Sequence, residues 1–118
     1  MAKKKKTLKK NILITGGSGF IGSAITKYLV KGKNKIIVFD NNSRGRSRRL
    51  KEIKNKIRFI KGDIRNKKQL LSIKGKVDTV IHLAYVNGTK FFYKKPYEIL
   101  DIAVNGLLNV LDLCKRKN

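Results

Sequence analysis

Three glycines spaced three residues apart, Gly16, Gly19 and Gly22, join a short apolar run to a helical pattern. The run NILIT at residues 11–15 predicts a buried strand, and apolar steps of three and four across residues 20–31 predict a helix. This order of elements points the free backbone N–H groups of the first helical turn at the glycines. Because side chains there would block a phosphate, the pattern predicts a pyrophosphate-binding turn.

An acidic residue stands where such a turn requires one. Asp40 lies 18 residues after Gly22, at the end of a second apolar run over residues 35–39. A carboxylate at this place accepts hydrogen bonds from the adenosine ribose hydroxyls and repels a 2′-phosphate, which favours NAD over NADP. Arg44 and Arg46 follow closely and offer charge to neutralise such a phosphate, so NADP stays the alternative cofactor. The simpler alternative is a glycine-rich connection followed by an acidic loop residue.

Strand and helix patterns alternate along the rest of the chain. Further apolar runs at residues 57–60 and 77–83 alternate with helical patterns at residues 66–73 and 97–117, and a helical turn is expected near residues 50–54. This alternation predicts an α/β fold with a parallel sheet. With the glycine turn, it is typical of a Rossmann-type doubly wound sheet, in which the first four strands have the usual order 3-2-1-4. The strands are mostly apolar, as expected for a sheet covered on both faces.

The net charge of +23 suggests a polyanionic partner, but other features weaken that interpretation. Lysines outnumber arginines 23 to 7, and no nucleic-acid-binding module is recognised. The excess of Ile and Asn beside Lys indicates A/T-rich codons, so nucleic acid is not the favoured partner. Six lysines in residues 1–10 predict a flexible tail, and residues 11–118 form the predicted domain.

Composition excludes several other classes. No apolar run approaches the roughly 18–20 residues that span a bilayer, so no membrane association is expected. One cysteine, Cys114, and one histidine, His82, exclude an internal disulfide and a zinc site built from these residue types. No metal is therefore predicted, and the expected compartment is the cytoplasm.

Five motifs in sequence order carry a family resemblance. They are TGGSGFIGS at residues 15–23, FDNNSRG at 39–45, KGDIR at 61–65, DTVIHLA at 78–84 and VNGLLNVL at 104–111. Together they resemble the extended short-chain dehydrogenase/reductase family, and within it the NAD-dependent nucleotide-sugar epimerases and dehydratases. The resemblance covers the chain from about residue 11 onward.

The resemblance implies which residues contact NAD. Those implied at the pyrophosphate are Gly16, Gly19, Phe20, Ile21 and Gly22. Those implied at the adenosine ribose are Asp40, Asn41 and Ser43, and those flanking the adenine are Asp63 and Ile64. Those implied near the nicotinamide ribose and the active site are Leu83, Ala84 and Asn105. Tyr85 departs from the small residue that is usual after HLA in the family. The ring of His82 is expected to find its hydrogen-bond partner nearby, at the end of the strand.

The residues that carry the family's chemistry are not in this sequence. The family removes a sugar hydroxyl proton with a Tyr whose pKa is lowered by a Lys four residues later. None of the four tyrosines has that Lys, so no catalytic residue is predicted. The chain is expected to be the truncated N-terminal third of such an enzyme, with an exposed edge on its fourth strand.

The expected function is therefore the NAD-binding portion of a nucleotide-sugar epimerase or dehydratase, catalytically incomplete alone. A nucleotide-sugar is the expected substrate if the missing C-terminal portion is supplied. The expected protein partner is a second copy of the chain or a complementing chain. The alternatives are a stand-alone NAD-binding or regulatory module and a polyanion-binding protein on the same fold.

Overall fold

A computed structural model describes residues 8–118, and its centre is a parallel sheet of four strands. The strands are β1 (Asn11–Thr15), β2 (Lys35–Asp40), β3 (Ile57–Lys61) and β4 (Thr79–His82). Their order is β3-β2-β1-β4, and every pairing is parallel. This confirms the predicted fold class and strand order.

Helical segments connect the strands and follow the last one. They are α1 (Phe20–Leu29), a 3₁₀ helix (Ser47–Lys56), α2 (Lys67–Leu71), α3 (Thr89–Lys94), α4 (Pro96–Asp101), a π-helical turn (Ile102–Gly106) and α5 (Leu107–Lys117). The last three run on without a break. Within residues 8–118, no helix has both the length and the apolar character that crossing a membrane requires.

Each face of the sheet has its own apolar core, as the apolar strands predict. One core joins the sheet to α2 and α5, and its fully buried members include Leu13, Phe39, Leu70 and Leu113. The other joins the opposite face to α1 and the 3₁₀ helix, and its buried residues are Ile12, Ile14, Ile36, Val38 and Leu50. Alternate residues of β1 thus face opposite cores, which fixes the register of the central strand.

Several element bounds differ from the sequence prediction. β4 is shorter than residues 77–83, although Asp78 still pairs with β1 by donating its N–H to the Asn11 carbonyl at 2.8 Å. α3 lies in a segment between residues 83 and 97 for which the sequence patterns predict no helix or strand. The final helical pattern includes a π-helical turn that the apolar periodicity does not predict.

Most of the predicted tail, residues 1–7, lies outside the described residues. Residues 8–10 are described and exposed. Lys10 is already tied to the sheet, because its carbonyl accepts a hydrogen bond from the Lys35 N–H at 2.9 Å. Its own N–H donates to the side chain of Asn34 at 3.2 Å.

Candidate functional site: a dinucleotide cleft at the carboxyl ends of the strands

A cleft lies beyond the carboxyl ends of β1, β2 and β4. The chain moves from β1 to one side of the sheet and then crosses over to place β4 on the other side. This is the switch point at which open α/β sheets bind ligands. The lining includes nine of the thirteen residues implied above, which are Gly16, Gly19, Asp40, Asn41, Ser43, Asp63, Ile64, Leu83 and Ala84.

The three glycines of the turn differ in what surrounds them. Gly16 has a φ of +74°, and a Cβ there would lie 2.7 Å from the Ala84 nitrogen. A Cβ on Gly22 would overlap the Gly16 carbonyl, so this glycine permits close packing of α1 on the turn. A Cβ on Gly19 would meet only that same carbonyl, at 3.2 Å. Gly19 therefore faces open space, as a glycine beside a phosphate must.

Phe20 and Ile21 begin α1, and their side chains point away from the cleft. They are 82% and 65% exposed and do not line it. As the first helical residues, however, they carry backbone N–H groups that have no acceptor within the helix. Any contact of these two residues with a pyrophosphate is therefore made by the backbone.

Asp40 is held rigidly at the end of β2. Its side chain is 8% exposed and accepts two backbone hydrogen bonds, from the Ser18 N–H at 3.0 Å and from the Asn42 N–H at 2.8 Å. Each bond uses a different carboxylate oxygen, and each oxygen keeps capacity for one further donor. Asp40 also lines the cleft, so this capacity is available to ribose hydroxyls.

Ser18 joins the glycine turn to the loop after β2, and sequence reasoning missed it. Its hydroxyl donates to the Asn42 side chain at 2.8 Å. Its carbonyl accepts from the Arg46 N–H at 2.9 Å and from the Arg49 guanidinium at 3.2 Å. Gly45 packs so closely that a Cβ would overlap the Ser18 hydroxyl. The only signal in the sequence was Gly45 itself, which closes the FDNNSRG motif.

The carboxylate of Asp63 is already shared by two side chains. Arg65 donates to both of its oxygens, at 3.1 and 2.8 Å, and the Asn41 amide donates at 3.2 Å. These hydrogen bonds from Arg65 are the main reason that the pKa of Asp63 is lowered. Arg65 also lies 3.7 Å from Asp101 and 3.9 Å from Glu98, and so connects the Asp63 side of the cleft to α4.

Thr15 and His82 fix the backbone that forms the opposite wall. The Thr15 hydroxyl oxygen accepts from the N–H groups of Leu83 and Ala84, at 3.1 and 3.3 Å, and lies 2.6 Å from His82 Nδ1. Burial lowers the pKa of His82, which favours the neutral ring. In the tautomer that carries its proton on Nε2, Nδ1 accepts a hydrogen bond from the Thr15 hydroxyl. The ring is thus satisfied locally, in keeping with the sequence expectation.

Asn105 does not reach the cleft. Its amide donates to the Asp101 side chain at 2.6 Å within the π-helical turn, and Ile102 lines the cleft instead. Asn109, one turn further on, donates to the carbonyls of Ile64 and Arg65 at 2.9 and 3.2 Å. A role for Asn105 at the cofactor stays a prediction, whereas Asn109 holds the loop after β3, from which Ile64 lines the cleft.

The residues present fit a dinucleotide. The turn leaves an open position at Gly19, α1 offers unpaired N–H groups, and Asp40 keeps free acceptor capacity on the same side of the cleft. These features define a dinucleotide-binding α/β domain.

Comparison with known proteins gives the family. Residues 12–118 match the NAD dependent epimerase/dehydratase family. A UDP-N-acetyl-alpha-D-glucosaminuronate decarboxylase from Bacillus cytotoxicus is 35% identical over 104 residues, a match that covers 88% of this chain and 32% of that protein. A UDP-glucose 4-epimerase from Neisseria meningitidis is 37% identical over 105 residues, which covers 84% of this chain and 31% of that protein.

Solved structures agree. The structure of an epimerase from Methanothermobacter thermautotrophicus superposes with a TM-score of 0.87 at 32% identity, covering 93% of this chain and 33% of that one. A dTDP-glucose 4,6-dehydratase from Streptomyces venezuelae, solved with NAD bound, gives a TM-score of 0.81 at 27% identity, covering 87% of this chain and 35% of that one.

The chain belongs to the NAD dependent epimerase/dehydratase family, and it corresponds to the N-terminal, NAD-binding region of its relatives. It spans about a third of the length of these two relatives. The family resemblance and the NAD dependence inferred from the sequence are thereby confirmed.

Proposed function

We propose that the chain is the NAD-binding portion of a nucleotide-sugar epimerase or dehydratase that works in the cytoplasm. The observation that carries the proposal is the cleft in which Gly19 and Asp40 face the same space from two different strand ends. The N–H groups at the start of α1 bind the pyrophosphate, and Asp40 orients the adenosine ribose. NAD, when bound, supplies the hydride acceptor for oxidation of a sugar hydroxyl.

The chain does not itself supply the proton-removing pair. Tyr85 is the one tyrosine that lines the cleft, and the residue four positions later is Thr89 rather than Lys. A tyrosine acts as the base in this chemistry when a nearby lysine activates it, and no tyrosine in the sequence has a lysine four residues later. We therefore assign binding and orientation to this chain, and proton removal to residues of a complementing polypeptide.

Two adjoining surfaces suit such a polypeptide. In the part of the chain that the structure describes, β4 pairs with β1 alone and leaves its outer edge open. The helical run after it exposes an apolar stripe at helical spacing, whose members are Leu100, Val104, Leu107, Leu108 and Leu111, each 43–59% exposed. A strand and helix supplied by the complementing chain would cover both, and self-association through the stripe is the alternative.

Activity measurements test this assignment. We expect the 118-residue chain alone to convert none of a panel of nucleotide-sugars. Turnover is measured by chromatography of the products and by NADH absorbance. Adding the C-terminal two-thirds of a relative, such as the Neisseria UDP-glucose 4-epimerase, should restore turnover. When the Asp40→Ala variant of the chain is complemented in the same way, less turnover should be restored than with the wild-type chain. Turnover by the lone chain would contradict the assignment, and NAD binding without any complementation would favour a stand-alone binding module.

One observation supports a second candidate, a polyanion-binding surface. Five of the seven arginines lie within residues 44–58, in and beside the 3₁₀ helix, where Glu52 is the one acidic residue. Binding of single-stranded RNA that weakens steeply with salt and persists without residues 1–10 would support this candidate. Binding that disappears with those residues would assign it to the lysine-rich terminus.

A further inference from the structure

Arg44 bridges the two sides of the cleft. It lies in the loop after β2, and its Nη1 donates to the Asn87 carbonyl at 2.9 Å. Its guanidinium carbon also lies 5.0 Å from the centroid of the Phe91 ring, within the range of a cation–π contact. Both partners belong to the segment after β4, so both contacts of the Arg44 side chain are made with the side of the cleft that this segment forms.

The position of Arg44 in the loop means that these contacts bear on the binding of a ribose 2′-phosphate. Arg44 follows Asp40 by four residues and lines the cleft beside Asn41 and Ser43. A free guanidinium from this loop is well suited to bind a ribose 2′-phosphate through two parallel hydrogen bonds. The chain is also strongly basic, with a net charge of +23, which favours the more highly charged NADP. Without a second determinant, the carboxylate of Asp40 alone would have to offset the attraction of this positive charge for the 2′-phosphate of NADP.

We propose that the Phe91 ring and the Asn87 carbonyl withhold Arg44 from the ribose 2′-position, and that this is a second determinant of the preference for NAD. The inference rests on the proposed NAD-binding function. Arg44 and Phe91 also line a neighbouring pocket together with Arg65 and Glu98, and the guanidinium contacts shown are with the segment after β4. Releasing it raises the affinity for NADP and leaves the NAD contacts unchanged.

Calorimetric titration of the 118-residue chain with NAD and NADP, at one fixed ionic strength, tests the proposal. Phe91→Leu keeps the apolar bulk and removes the aromatic face. The ratio of the NADP to the NAD dissociation constant should fall about twofold to fivefold, the scale of an exposed cation–π contact. Phe92→Leu is the matched control, because Phe92 packs edge-on against Tyr93 and not on Arg44. Its ratio should equal that of the wild type.

A second pair of variants identifies the cation. Adding Arg44→Gln to Phe91→Leu should return the ratio to the wild-type value, and adding Arg46→Gln should not. Arg44→Gln alone should leave the ratio unchanged, since the wild-type side chain does not serve a 2′-phosphate. Circular dichroism of each variant establishes that it is folded.

Three results would overturn the proposal while NAD still binds. They are an unchanged ratio in Phe91→Leu, a shift that survives Arg44→Gln, and a weaker NADP affinity in Arg44→Gln alone. If Phe91→Leu does not fold, the result for Arg44→Gln alone decides. Failure of the wild-type chain to bind either dinucleotide would instead overturn the proposed function, and this inference with it.

Discussion

The backbone N–H of Ser18 donates to the carboxylate of Asp40 at 3.0 Å, and both residues are buried, at 0% and 8% exposure. Ser18 lies in the glycine turn after β1, whereas Asp40 ends β2. The bond therefore couples the part of the cleft assigned to the pyrophosphate with the part assigned to the ribose. A change on one side of this bond is expected to be felt on the other.

Replacing Asp40 by Ala should weaken NAD binding by about 1–3 kcal/mol, the scale of lost hydrogen bonds to a charged group. It should also lower the free energy of unfolding, because the N–H groups of Ser18 and Asn42 lose their acceptor. Calorimetry and urea denaturation measure the two effects. Glu52→Ala removes the same charge from an exposed site and should change neither. Unchanged NAD affinity in Asp40→Ala would make Asp40 a structural acid only.

Gly19→Val and Gly22→Ala should fail in different ways. A side chain at Gly19 enters open space beside the turn, so the variant should fold and lose cofactor binding. At Gly22 even a Cβ overlaps the Gly16 carbonyl, so that variant should lose stability first. Circular dichroism and NAD titration distinguish the two outcomes. Retained NAD binding in folded Gly19→Val would place any cofactor elsewhere.

Ser18→Ala should destabilise the fold by about 1 kcal/mol, since it removes the buried hydroxyl that donates to Asn42. NAD binding should weaken as well, because Asn42 belongs to the loop that carries Asp40. Ser72→Ala is the control, for it removes an exposed serine hydrogen bond to the Gln69 carbonyl, and Ser72 does not line the cleft. Equal effects of the two variants on NAD affinity would contradict the coupling.

Stability should depend on the protonation of Asp63. Hydrogen bonds from Arg65 lower the pKa of Asp63 in the folded state, so its contribution is present above the unfolded pKa of about 3.9. That contribution is lost as the pH falls through the lower folded value. Urea denaturation between pH 6 and 3 should therefore show a smaller acid loss for Arg65→Gln than for the wild type. Parallel curves would show that the pair contributes nothing.

Local patterns predicted the sheet well because they depend on neighbouring residues. The apolar runs located all four strands, and Asn66, at the start of the predicted second helix, caps α2 by accepting from the Gln69 N–H at 3.1 Å. The order 3-2-1-4 came with the strand–helix alternation and the family pattern, and the pairing of β1 with both β2 and β4 confirms it.

The missed features depend on residues distant in sequence. Ser18 acquires its role from Asn42, 24 positions away, and no periodicity reveals that contact. Arg44 donates to the Asn87 carbonyl, 43 positions away in sequence. Because the sequence does not reveal this contact, it predicted that the charge of Arg44 was available to neutralise a phosphate. Asn105 was placed by its motif, but the helical turn directs Ile102 into the cleft. Ile102 and Asn105 are three positions apart on the helix, and the motif does not specify which of them faces the cleft.

The most direct test of the account is a calorimetric titration of the folded 118-residue chain with NAD and, separately, with NADP. The account predicts saturable binding of one NAD per chain, tighter than the binding of NADP under the same conditions. The coupling of Asp40 to the glycine turn predicts that Asp40→Ala narrows this difference. Absence of saturable NAD binding by the folded chain, or tighter binding of NADP, would contradict the central claim.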